Sequence, residues 1–107
     1  MMDKSTAVVQ KWDRAEAPSE ADVRRLLALE GLQAYLWSNE PHDFYPAHSH
    51  KYHKVIYVVK GSIWFGLVEE GKQLKLTAGD RLELPAGMVH DAVVGPEGVV
   101  CLEGHRG

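Results

Sequence analysis

From Leu32 to Glu103 the chain carries no helical repeat. Apolar, β-branched and aromatic residues alternate instead in short runs, LQAYLW, KVIYVV, SIWFGLV, LKL, DRLELP, DAVVG and GVVCLE. That is the period-two pattern of strands with one buried face. Breakers fall between the runs at Asn39-Glu40-Pro41, Gly61, Glu70-Gly71, Ala78-Gly79, Pro85-Ala86-Gly87 and Gly95-Pro96. About seven short strands with no helices to join them in parallel predict an all-β sandwich or barrel.

Upstream the pattern differs. Residues 1–17 are polar and weakly patterned, an arm or an edge strand through Ala7, Val8 and Val9. Pro18-Ser19 then opens one helix: Ser19 can cap the free amides, and Asp22 stands at the capping-box spacing. Val23, Leu26, Leu27 and Leu29 give it an apolar side, Arg24, Arg25 and Glu30 a wet one, and Gly31 a stop. The expected organisation is a single domain, with an N-terminal arm and helix (1–31) packed outside a β-barrel (32–107).

Composition narrows the partners. With 12 basic and 15 acidic residues, a net charge of -3 offers no basic surface for nucleic acid. No apolar run approaches the ~20 residues of a membrane helix, and the charged start MMDKSTAVVQKW lacks the apolar core of a signal peptide. The lone cysteine, Cys101, excludes an intramolecular disulfide and lies in the apolar run GVVCL, which reads as packing. These features predict a soluble, cytoplasmic protein whose partner is a small molecule, not nucleic acid or membrane.

Chemistry concentrates in two places. His48 and His50 are one residue apart, and on a strand they would share a face, forming half of a metal site. GDRLELPAGMVH then runs through a turn, a strand, a proline turn and His90. Together these segments resemble the two motifs of the cupin superfamily, G-x5-H-x-H-x3,4-E-x6-G and G-x5-P-x-G-x2-H-x3-N. His48-x-His50 and Gly61 match the first, and Gly79-x5-Pro85-x-Gly87-x2-His90 the second. Two linked motifs are far more specific than a lone histidine pair, and the resemblance spans about residues 32–103.

The resemblance implies a double-stranded β-helix, or jelly-roll barrel, in which His48, His50 and His90 converge on a divalent metal. Three neutral imidazoles suit iron, zinc, nickel, manganese or copper and leave positions for water or substrate. The chain departs from the motifs at three positions: His42 replaces the leading glycine, Val94 the final asparagine and Lys54 the glutamate.

An ammonium cannot ligate, so Lys54 has three readings. It turns aside to pair with Glu83, Glu103 or an anionic ligand; or metal binding is lost and the pocket suits a carboxylate-bearing molecule; or a bulge at Lys51-Tyr52 turns His53 inward as a fourth ligand. Tyr52, if close, could orient a substrate. Ile56 and Val58 share the parity of Lys54, as Ala92 and Val94 share that of His90, and should wall the pocket. Tyr35, Trp37, Tyr57, Trp64 and Phe65 read as barrel or interface filling. His42 and His105 read as exposed and uninvolved, Glu103 as a solvated position or a charge partner of Lys54, and Asp80-Arg81 as a surface ion pair.

Two functions are consistent with this pattern: a metal-dependent, dioxygenase-like enzyme acting on a small organic molecule, or a non-catalytic sensor holding a small molecule or anion. Exposed strand edges further predict a homodimer.

Overall fold

The structure, a computed structural model, describes residues 7–107. Their order is β1 (Val8–Gln10), α1 (Glu20–Leu29), β2 (Tyr35–Asn39), β3 (Phe44–His48), β4 (His53–Leu67), β5 (Lys72–Thr77), β6 (Arg81–Leu84) and β7 (His90–Arg106). The strands form one antiparallel seven-stranded sheet rolled into a double-stranded β-helix.

The expected runs are partitioned differently. KVIYVV and SIWFGLV are a single strand, β4, and DAVVG and GVVCLE a single strand, β7. The supposed breakers act as corners. Gly61 and Gly98 adopt φ 83 and 81, a left-handed conformation open to glycine, and a Cβ on Gly61 would stand 2.0 Å from the Gly98 carbonyl oxygen. The β4–β7 ladder shifts register on both sides of Gly61, so the paired strands bend without separating.

Each half of the pair then recruits different neighbours. Lys54–Tyr57 pair with β6 and Ser62–Leu67 with β5; Val99–Glu103 pair with β2, while His90, Ala92 and Val93 pair with β3. Two faces result, and they enclose the core.

Alternation along β4 sorts that core. Ile56, Val58, Ile63, Phe65 and Leu67 turn inward to Leu76, Leu82, Leu84, Val94, Val99 and Cys101. Burial pushes the Cys101 thiol well above its ordinary pKa, so it packs as a small hydrophobe. Val55 and Tyr57 turn outward with Leu102 and meet Val23 and Leu27 of α1.

Ser19 caps α1 and exchanges bonds with Asp22, the complete capping box, and Gly31 follows the end at φ 77. The buried stripe is narrower than expected, because Leu29 is 78% exposed. Val23 and Leu27 are four apart and share a face, whereas Leu29 lies two residues past Leu27, on the opposite side.

The arm carries an edge strand, β1, against β6; the expected start at Ala7 falls within the described residues, and residues 1–6 lie outside them. Asp80 fastens the residues after β1. Only 2% exposed, it accepts from the Trp12 amide at 2.8 Å, Lys11 Nζ at 2.7 Å and the Thr77 amide at 2.9 Å. Burial alone would raise its pKa, but these bonds hold it below the ordinary carboxylate range. The expected Asp80-Arg81 surface pair does not form; Arg81 bonds Glu30 and Glu83 instead. Asp80 precedes β6, and its carboxylate is already taken by Lys11, Trp12 and Thr77. No helix among the described residues is long and apolar enough to cross a membrane.

Candidate metal centre

His48 ends β3 and His90 begins β7, and the two are register partners with ring centroids 4.5 Å apart. His50 lies beyond the strand, in the loop before β4. Strand alternation therefore does not align it with His48; a tether across the two motifs does. Gly87 turns at φ 82 behind Pro85, and its amide donates to the His50 carbonyl at 2.8 Å. The proline turn of the second motif thus holds the histidine loop of the first.

One nitrogen from each of His48, His50 and His90 lies within 4.8 Å of the others. Two of the rings are oriented by the same device. His48 Nδ1 is 2.6 Å from the Pro46 carbonyl and His90 Nδ1 is 3.0 Å from that of Met88, each two residues upstream. A carbonyl only accepts, so Nδ1 carries the proton and Nε2 keeps its lone pair for a metal. Burial, then the Lys54 charge, lowers the His50 pKa to about 4. Burial also lowers that of His90, against the bond to Met88. Neutral imidazoles are what a divalent ion requires, so the set fits one.

Lys54 stands beside the cluster, where the first motif has glutamate. Its Nζ lies 3.4 Å from His50 Nε2 and 3.4 Å from Glu103 Oε1. The ammonium can only donate, so it addresses the lone pair that a metal at His50 would take. Two unit charges 4 Å apart interact by about 4 kcal/mol at an effective dielectric of 20. A dication doubles that, so metal and ammonium need an intervening negative charge.

Glu103 supplies one from the adjacent strand β7. It is 7% exposed, and accepts from Trp37 Nε1 at 3.0 Å and His105 Nε2 at 2.5 Å. The reading of Glu103 as a solvated position, and of His105 as uninvolved, is thereby corrected. Glu103 is the register partner of Ile56 and His105 that of Lys54, so both share the inward parity. Sequence held the signal, because Glu103 and His105 alternate with Cys101, already read as buried. His105 stacks on Tyr52 and Tyr35 at centroid distances of 4.1 and 5.4 Å, and Tyr52 lies 5.1 Å from the His50 ring.

Other expected residues fall elsewhere. His53 shares the outward parity of Val55, bonds Glu83 at 2.7 Å and is not among the three clustered rings. The bulge that would turn it inward does not form, because β4 already pairs in register from His53 onward. His42 takes φ 68, the left-handed conformation for which the motif uses glycine, and its amide bonds the Val94 carbonyl.

A cavity of about 220 Å³ opens on the cluster. Its polar end is His48, His50, His90, Lys54 and Glu103; Ile56, Ile63, Phe65 and Ala92 wall it with Trp37 and Tyr45. Of the expected walls, Val58 and Val94 lie deeper in the core. Trp37 and Phe65 face inward, while Tyr57 packs on α1 and Trp64 carries Lys75 over its ring.

Residues 35–105 match the cupin domain family. Among solved structures, the chain is similar to an RmlC-like cupin from Shewanella frigidimarina NCIMB 400, with 28% identity over 69% of this chain and 64% of that one, and a TM-score of 0.60. KdgF from a Halomonas species is 26% identical over 69% and 68% of the two chains, with a TM-score of 0.58. A DUF861 family protein from Thermotoga maritima shares the fold at 18% identity, with a TM-score of 0.67 over 94% of this chain and all of that one. No curated protein matches.

Proposed function

The chain belongs to the cupin domain family, and from that premise we propose that His48, His50 and His90 hold one divalent transition metal on which a small organic molecule is bound and transformed. The observation that carries this reading is the clustering of three imidazoles within 4.8 Å, two of them fixed through Nδ1. A bound iron or related ion would supply Lewis-acid polarisation and redox chemistry, as in a dioxygenase-like enzyme.

The chain supplies the rest. Ile56, Ile63, Phe65 and Ala92 exclude water from the substrate's body, which strengthens every polar contact at the other end. Glu103 reaches the cavity with a carboxylate that can hold a proton, and His105 joins it toward the surface. Trp37 fixes the carboxylate through its indole N–H.

Elemental analysis of untagged protein tests the site. Near one equivalent of metal is expected in the native chain and none in His48→Ala; absence from both would remove the metal centre. Iron loading without air, then oxygen uptake with diketones, thiols and phenols, tests the reaction class. Turnover of at least one is expected, and none would favour the second reading, a non-catalytic binding module. That reading is supported by Lys54, whose ammonium stands 3.4 Å from the His50 nitrogen that a metal would take.

A further inference from the structure

We propose that Lys54 is the recognition group for the carboxylate of a small organic acid, bound with its anionic end beside the three imidazoles and its apolar body on Ile56, Ile63 and Phe65. This deepens the proposed function by naming its substrate class, and rests on that same pocket. The first support is the state of the donors around the cavity. Trp37 Nε1 is taken by Glu103, the Tyr45 hydroxyl by Asn39 at 2.5 Å, and His48 and His90 Nδ1 by backbone carbonyls. Lys54 differs. An ammonium carries three protons, and its contacts to His50 and Glu103 are both 3.4 Å, longer than the ~2.7–2.9 Å of a charge-assisted bond.

The second support is charge. Glu103 is the carboxylate facing Lys54, and it is already shared with Trp37 and His105. A divalent ion at the imidazoles would leave two positive charges in excess, since Lys54 and Glu103 cancel, and the apolar walls amplify that excess. An anion relieves it, and on arrival it gives Lys54 a partner away from His50 Nε2. Size limits which anion enters. About 220 Å³ lies below the ~300–1,000 Å³ of drug-sized pockets, so the acid is small, and the walls select a branched or phenyl body.

Calorimetric titration of the untagged chain decides the matter, with isovalerate, benzoate and 2-oxobutyrate set against isovaleramide, benzamide and inorganic phosphate. Each is run on protein freed of metal by dialysis and again after zinc loading. At least one acid is expected to bind about tenfold tighter than its amide, a preference lost in Lys54→Met and kept in Lys54→Arg. Acid and amide binding alike, no acid binding at millimolar concentration, phosphate alone binding, or Lys54→Met keeping the preference would each overturn the proposal. Zinc content separates the two readings. One equivalent of zinc without acid preference overturns the anion site alone, whereas acid preference without zinc overturns the metal centre and upholds the role of Lys54. If Lys54→Met does not fold, the acid-to-amide ratio of the native chain and Lys54→Arg still decide.

Discussion

At the scale of single residues, the centre depends on which histidines stay neutral. His50 titrates at about 4 because burial, then Lys54, opposes its charge. An unfolded histidine titrates near 6.5. Between those values the unfolded chain binds a proton that the folded chain refuses, so stability is complete above about pH 6.5 and falls as pH drops toward about 4. His90 acts in the same direction. The depressed carboxylates Asp80 and Glu83 begin to lose their contribution as pH falls through the ordinary carboxylate range and finish below it, so their loss follows that of the histidines. Metal-free protein should therefore show a falling unfolding temperature from about pH 7 to about pH 4.5. His50→Gln should flatten that slope, and an unchanged slope would remove His50 as its cause.

Among the elements, the arm and α1 are fastened by different means. The helix is held by its capping box and by Val23 and Leu27 against β4 and β7. The arm relies on the short β1 and on Asp80, which gathers Lys11, Trp12 and Thr77. Gly79 leaves room for this junction, since a Cβ there would meet the Trp12 side chain at 2.3 Å. Asp80→Ala strands two amides and a lysine together, and should destabilise the chain by about 2–4 kcal/mol in denaturant unfolding. Asp80→Asn keeps one acceptor oxygen and should lose less; equal, small losses in both would show that the arm does not depend on this carboxylate.

For the whole molecule, the two corner-bent strands β4 and β7 carry both the barrel and the site. They bring Lys54 and Ile56 opposite His105 and Glu103, with His90 at the far end of the same ladder. The outer surface leaves Leu36, Phe44 and Val93 exposed, and Phe44 and Val93 are register partners. We propose that such positions serve the homodimer expected of exposed strand edges. Light scattering at micromolar concentration should give twice the chain's mass, and a monomer would discard the dimer.

Sequence alone determined the class of fold, the capped helix and the identity of the three histidines, because alternation, capping and motif spacing are local patterns that survive in one dimension. It could not partition the strands, since Gly61 ends a strand or bends it according to which partner backbone lies opposite, here Gly98. Nor could it explain why His50 joins His48: the tether comes from Gly87, 37 residues downstream. The motif glutamate was visibly replaced by Lys54, yet only the pairing of β4 with β7 brings Glu103 and His105 to the same face. Charge balance in a barrel is set by residues that meet across strands, and that meeting is decided by register, which tertiary structure alone fixes.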